Sequence, residues 1–168
     1  MAKKRNEKLP LMLALLICFA SIAAMVTALL IPKAPVAGEF TPPGFDAKAI
    51  YGTPDVPKEL GYIEPYAEGM TFRAGFCGKL NISQGKADVY FTNKAENEVW
   101  LMLRITSESG EVLAETGILR PGEYVKTVSF DKLPKNGEKV IYRVMAYEPQ
   151  TYYSMGYFKL STVANVNK

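Results

Sequence analysis

Four tyrosines stand close together in Ala146–Phe158, AYEPQTYYSMGYF, around a proline-bearing stretch: Tyr147, Tyr152, Tyr153 and Tyr157. Tyrosine offers rigid amphipathic contact area, and exposed loops that carry it contact partner proteins or sugars. They are the candidate partner-binding residues. The plainer reading, with the rings covering one end of a β-domain or pointing inward at strand ends, is favoured because tyrosine is common in strands.

Other chemistry is sparse. The chain has no histidine, which removes the usual neutral-pH base, the Ser/His and Cys/His pairs and the commonest zinc ligand. Cys77 lies in AGFCGKL with only Arg73 and Lys79 near it in sequence, so a small buried core residue is expected rather than a reactive thiolate. Cys18 falls in an apolar run on the other side of any membrane boundary, which argues against a disulfide between the two. Carboxylates are scattered singly, with no calcium-loop pattern and no phosphate-binding glycine motif. No catalytic, metal or cofactor residues are assigned, no cofactor is expected, and the chain is read as no enzyme.

The elements that must position the tyrosines come next. Residues 9–31 run LPLMLALLICFASIAAMVTALLI without a charge. At ~1.5 Å per residue that helix reaches about 35 Å, enough for a hydrocarbon core of about 30 Å. Lys3, Lys4, Arg5 and Lys8 precede it and only Lys33 follows closely, so residues 1–8 are a cytoplasmic tail and the rest lies outside. A cleaved signal peptide is the competing reading. The run is too long for one, and Pro35 in APVAGE occupies a place that wants a small residue.

Residues 32–60 are rich in proline and glycine and lack a sustained period. A spacer is the favoured reading. The alternative docks Phe40, Phe45, Ile50 and Tyr51 on the following domain as an extra edge segment.

Residues 61–168 change to short strands. Candidates are 70–76, 87–92, 99–106, 111–116, 124–130, 139–147 and 156–163. Val99, Leu101, Leu103 and Ile105 alternate with Trp100, Met102, Arg104 and Thr106, the pattern of a strand with one packed and one wet face. Ser107–Gly110, Arg120–Glu123 and Lys135–Glu138 carry turn residues between them. The faint sorting-signal echo in Leu133–Gly137 is read as one of these turns. About seven strands at this spacing predict an all-β, Ig-like antiparallel β-sandwich, with a small barrel as the alternative.

The anchor together with PPGFDAKAIYGTPDVP, GKADVYFTN, RPGEYV and VMAYEP resembles small membrane-anchored extracytoplasmic Ig-like proteins of Gram-positive bacteria. The resemblance covers nearly the whole chain. It implies a surface-exposed Ig-like module and carries over no functional residue.

The net charge of +3 resides wholly in the first eight residues, and residues 32–168 are balanced. That excludes the basic field that nucleic acid needs. The expected partners are the lipid bilayer, another envelope protein, or, as a second choice, cell-wall glycan. The functional expectation is a non-catalytic extracytoplasmic module, either an adaptor or a subunit of an envelope complex, with glycan binding as the alternative. A carboxylate-based envelope enzyme ranks last.

Overall fold

Apolar alternation and glycine-bearing turns divide the described residues of the β-rich part into ten strands. The computed structural model describes residues 12–14, 16–22, 25 and 41–167. The strands are β1 (Ile50–Tyr51), β2 (Tyr62–Ile63), β3 (Ala74–Cys77), β4 (Leu80–Ser83), β5 (Lys86–Asn93), β6 (Trp100–Ser107), β7 (Val112–Glu115), β8 (Glu123–Ser129), β9 (Lys139–Tyr147) and β10 (Ser154–Asn167). Each of the seven runs read from sequence holds one strand. The three added strands, β1, β2 and β4, are only two to four residues long, too short for alternation to register.

The strands run β1-β8-β5-β4-β10-β9-β6-β7, with β3 on β5 and β2 on β3. An isolated bridge from Ala114 to Phe130 brings β7, the last strand of this path, back toward β8, so the sheet curls on itself. Among the named strands one pairing departs from the antiparallel expectation, and the isolated Phe45–Ile118 bridge is parallel as well. β10 is antiparallel to β9 from Ser154 to Val163, then parallel to β4 from Ala164 to Asn167. Alternation reports which face is dry, not which way a neighbour runs, so sequence could not foresee this.

Inside the curl lie Phe76, Leu80, Ile82, Val89, Phe91, Leu101, Leu103, Ile105, Tyr142 and Val144, all fully buried. Each such side chain is worth about 1.5–3 kcal/mol over its exposed state. Phe76 meets Tyr142 edge-on at 5.3 Å. Buried polar groups near the 94–98 turn are satisfied by one another. Asn93 Nδ2 donates to the carbonyls of Val99 and Leu119 at 2.9 Å, while Asn97 Nδ2 donates to Asn93 Oδ1 at 2.7 Å and to the Arg73 carbonyl at 2.6 Å.

The compact unit holding these strands spans Pro42–Lys168, so residues 42–60 belong to it and are not a free spacer. The Ile118 N–H donates to the Gly44 carbonyl and Asp46 N–H to the Ile118 carbonyl, both at 2.9 Å. Gly117 N–H donates to Asp46 Oδ2 at 2.9 Å. A Cβ on Gly117 would come within 2.5 Å of the Asp46 backbone, which is why glycine stands there. Ile50 and Tyr51 then pair with Tyr124 and Glu123. Proline bars a segment from a sheet interior but not from an edge, and an edge is where this one lies. Phe40 lies outside the described residues.

The second unit covers Met1–Thr41. Residues 12–14, 16–22 and 25 are helical, and their large apolar side chains, Met12, Leu13, Leu16, Ile17, Phe19, Ile22 and Met25, are exposed. Among the described residues no helix is long and apolar enough to cross a membrane. The tail read over 1–8 lies outside the described residues, as does much of the span read over 9–31.

Candidate partner-binding site

β6 and β9 each turn a second set of side chains away from the core. Met102 and Met145 are buried on this outer face, with Trp100 and Tyr147 beside them. Three pieces from outside the ladder complete the cluster: Phe45 from the N-terminal arm, Ile118 from the β7–β8 connection and Tyr152 from the β9–β10 loop. Their aromatic groups form a chain of contacts. The Arg120 guanidinium lies 3.7 Å from the Phe45 ring centre, Phe45 meets Trp100 edge-on at 4.8 Å, and Trp100 meets Tyr152 edge-on at 5.2 Å. Edge-to-face pairs at these separations add about 0.5–1.5 kcal/mol each beyond burial.

The loop from Glu148 to Tyr153 is held by its own backbone. Glu148 N–H donates to the Tyr153 carbonyl at 2.9 Å and Tyr152 N–H to the Glu148 carbonyl at 3.0 Å. Thr151 Oγ1 donates to Glu148 Oε2 at 2.6 Å. Gln150 (φ 75°) and Tyr152 (φ 59°) both take left-handed backbone, a strained choice for side chains of this size.

The four tyrosines therefore do not act as one group. Tyr147 and Tyr152 are half-buried supports within the outer cluster. Tyr153 is 72 % exposed and Tyr157 52 %, and Met155 between them is 47 % exposed. The Arg143 guanidinium lies 4.1 Å from the Tyr157 ring centre, with Lys159 Nζ at 5.5 Å. Met155, Arg143 and Lys159 were not singled out from sequence. Alternation alone puts Arg143 on the face opposite Tyr142 and Val144, but its meeting with Tyr157 depends on the β9–β10 register. Trp100, which with Tyr152 and Tyr153 would supply the stacking faces of a glycan site, is half-buried against Phe45 and Tyr152.

Reactive chemistry finds little support here. Cys77 is fully buried, and that burial, with Asp88 adding to it, pushes its thiol up to about 12. A thiol so placed stays protonated and inert. Burial likewise raises the Tyr62 and Tyr142 phenols above their ordinary value. A groove of about 250 Å³ near β7 and β8 is lined by Asp46, Glu115 and Asp131. Asp46 accepts from the N–H groups of Lys48 and Gly117, and Glu115 pairs with Arg104. Among the described residues no group of three or more His, Cys, Asp or Glu side chains is placed to hold a metal ion.

No family model and no curated protein matches the sequence. Among solved structures, the chain is similar to that of CopC from Methylosinus trichosporium OB3b at 13 % identity. The match covers 54 % of this chain and 87 % of that one, with a TM-score of 0.34. A likeness of that size carries no residue, ligand or activity across.

Proposed function

We propose that this chain is a non-catalytic interaction module, an Ig-like β-sandwich held on the outer face of a membrane, where its β9–β10 end meets another envelope protein. One observation carries the reading: Tyr153, at the end of a strained, self-bonded loop, and Met155 and Tyr157, at the start of β10, are exposed side by side, with Tyr152 and Trp100 packed together next to them. Large exposed apolar side chains on a rigid support are what a protein contact uses. Strain of about 1–3 kcal/mol per left-handed residue is kept where the surroundings over-determine it, commonly at ligand sites.

The membrane part of the reading draws on the uncharged run of residues 9–31 and on the exposed apolar side chains of the helical residues from Met12 to Met25. The basic residues before that run put the N-terminus inside and the β-domain outside. For the sandwich, the support is a single core lying between β6, β7 and β9 and the strands β4, β5 and β8. A glycan-binding module is the weaker reading, because two of the three rings that it would stack on are half-buried in the outer cluster.

The test replaces Tyr153 with a photoreactive amino acid in the full chain and crosslinks in living cells. A discrete protein adduct is the expected result. A smear released only by wall digestion would assign the site to glycan. Adducts from a position on β5 with none from residue 153 would overturn the assignment of this face.

A further inference from the structure

Register sets the outer-face side chains of β6, β9 and β10 in rows. Met102, Met145 and Tyr157 share one row, and Arg104, Arg143 and Lys159 share the next. Glu115 of β7 stands opposite Arg104 and lies 2.9 Å from its Nε, so the cationic row begins with a balanced pair. Among the described residues no carboxylate pairs with Arg143 or Lys159. Arg143 Nε is buried without a hydrogen-bond partner. Like charges directly opposite in a sheet destabilise it, and the row reaches β10 with its charge unanswered.

β10 is also where pairing stops. From Ser154 to Val163 it pairs with β9 on one side, and among the described residues no strand pairs with its other side; β4 joins only at Ala164. Burial reflects this. Phe158 and Leu160 stand opposite Val144 and Tyr142, which are fully buried, yet both remain partly exposed. Along the unpaired side runs a groove of about 290 Å³ with Met70 and Phe72 on one wall and Met155, Tyr157 and Phe158 on the other. Phe72 and Phe158 stack across it at 5.8 Å.

We propose that the unpaired side of β10 accepts an extended acidic segment of a partner protein by strand addition, with an acidic side chain opposite Lys159. This deepens the interaction-module reading and rests on it. An added strand would satisfy the free N–H and C=O groups of residues 154–161, and its side chains would alternate between the two faces. Those on the outer face meet Tyr157 and Lys159, so a carboxylate there extends the row Glu115–Arg104–Arg143–Lys159 with the missing sign. On the inner face Phe72 already stacks on Phe158, so the added strand's inner side chains meet Phe72 and Leu160 and must be apolar. Glu68, on the far wall of the groove, keeps acidic groups away from that side. A second copy of this chain fits badly, because it would bring a further Arg143–Lys159 row of the same sign.

The probe is a fluorescein-labelled peptide of four Glu-Val repeats, titrated by anisotropy against the full chain in neutral detergent, with a Lys-Val peptide as control. Saturable binding of the Glu-Val peptide is expected, weakened about tenfold by Lys159→Glu. Amide exchange should slow over residues 154–161 when the peptide binds. In the double variant Arg143→Glu/Lys159→Glu the preference should swap to the Lys-Val peptide. Binding absent up to about 1 mM, binding without protection of residues 154–161, or protection already present before peptide is added would each overturn strand addition. The Tyr153 crosslink reports separately on the module. If its adduct persists while the peptide result fails, the module stands and the strand mode falls. If the adduct is missing, the assignment of this face to partner binding falls, and strand addition beside it falls too.

Discussion

The inner and outer apolar clusters share two strands and differ in what completes them. β6 and β9 send Leu101, Leu103, Ile105, Tyr142 and Val144 inward, where other strands of the same sheet close over them. The same two strands send Trp100, Met102, Met145 and Tyr147 outward, where single residues from an arm, a connection and a loop close over them. The inner cluster is held many times over by the hydrogen-bonded ladder. The outer one depends on Phe45, Ile118 and Tyr152 staying in place, so it can be rearranged without unfolding the domain. Recognition surfaces belong on the less redundant side.

The largest test of this contrast is Phe76→Ala. Phe76 is fully buried between Tyr142 and Phe158, and its loss should cost about 3–5 kcal/mol in urea denaturation. A loss under about 1 kcal/mol would mean that the inner cluster is not the main support of the fold. Alkaline pH strikes the same region. The Cys77 thiol is raised in the folded state, so its contribution is whole below about pH 9 and is lost as pH climbs toward about 12. Stability should fall between pH 8 and pH 11, followed by urea denaturation at each pH, and Cys77→Ala should shrink that fall. Tyr142, raised in the same direction by burial, keeps part of the decline in the variant.

Phe45→Ala acts on the outer cluster alone. With the ring only half-buried, the expected cost is about 1–2 kcal/mol. Amide exchange should quicken at Asp46 and Ile118 while β4 is unchanged. Equal loosening of both regions would erase the distinction drawn here. Tyr153→Ala should be the mildest, shifting stability by less than about 0.5 kcal/mol because the ring touches little, yet abolishing the proposed partner contact.

Sequence reading went furthest where a pattern was local. β9 was bounded at Lys139 and Tyr147 by alternation on one side and the Asn136-Gly137 turn on the other, and Gly137 does take positive φ (83°). Buried Cys77 followed from its small, apolar surroundings. The docked arm was visible only as an alternative, since a proline-rich stretch has the same composition whether it swings free or lies along a sheet edge. In the site, the aromatic segment was legible as a concentration of tyrosine. The split between supporting Tyr152 and exposed Tyr153 was not, because it turns on left-handed backbone at two non-glycine residues. The Arg143–Lys159 row needs the pairing of two strands, a fact that no local window contains.

The parallel pairing of Ala164–Asn167 with Leu80–Ser83 has a kinetic consequence during synthesis. The paired residues are 84 apart, as in Asn165 and Asn81. At about 5–20 residues per second a ribosome needs about 4–17 s to make the chain between them. Through that interval β4 waits with one side uncovered, Leu80 and Ile82 already committed to the growing core. Closure of the sheet is therefore a late event of high contact order, and the nascent domain passes through a period in which strand-capturing chaperones or a neighbouring nascent chain could reach it first.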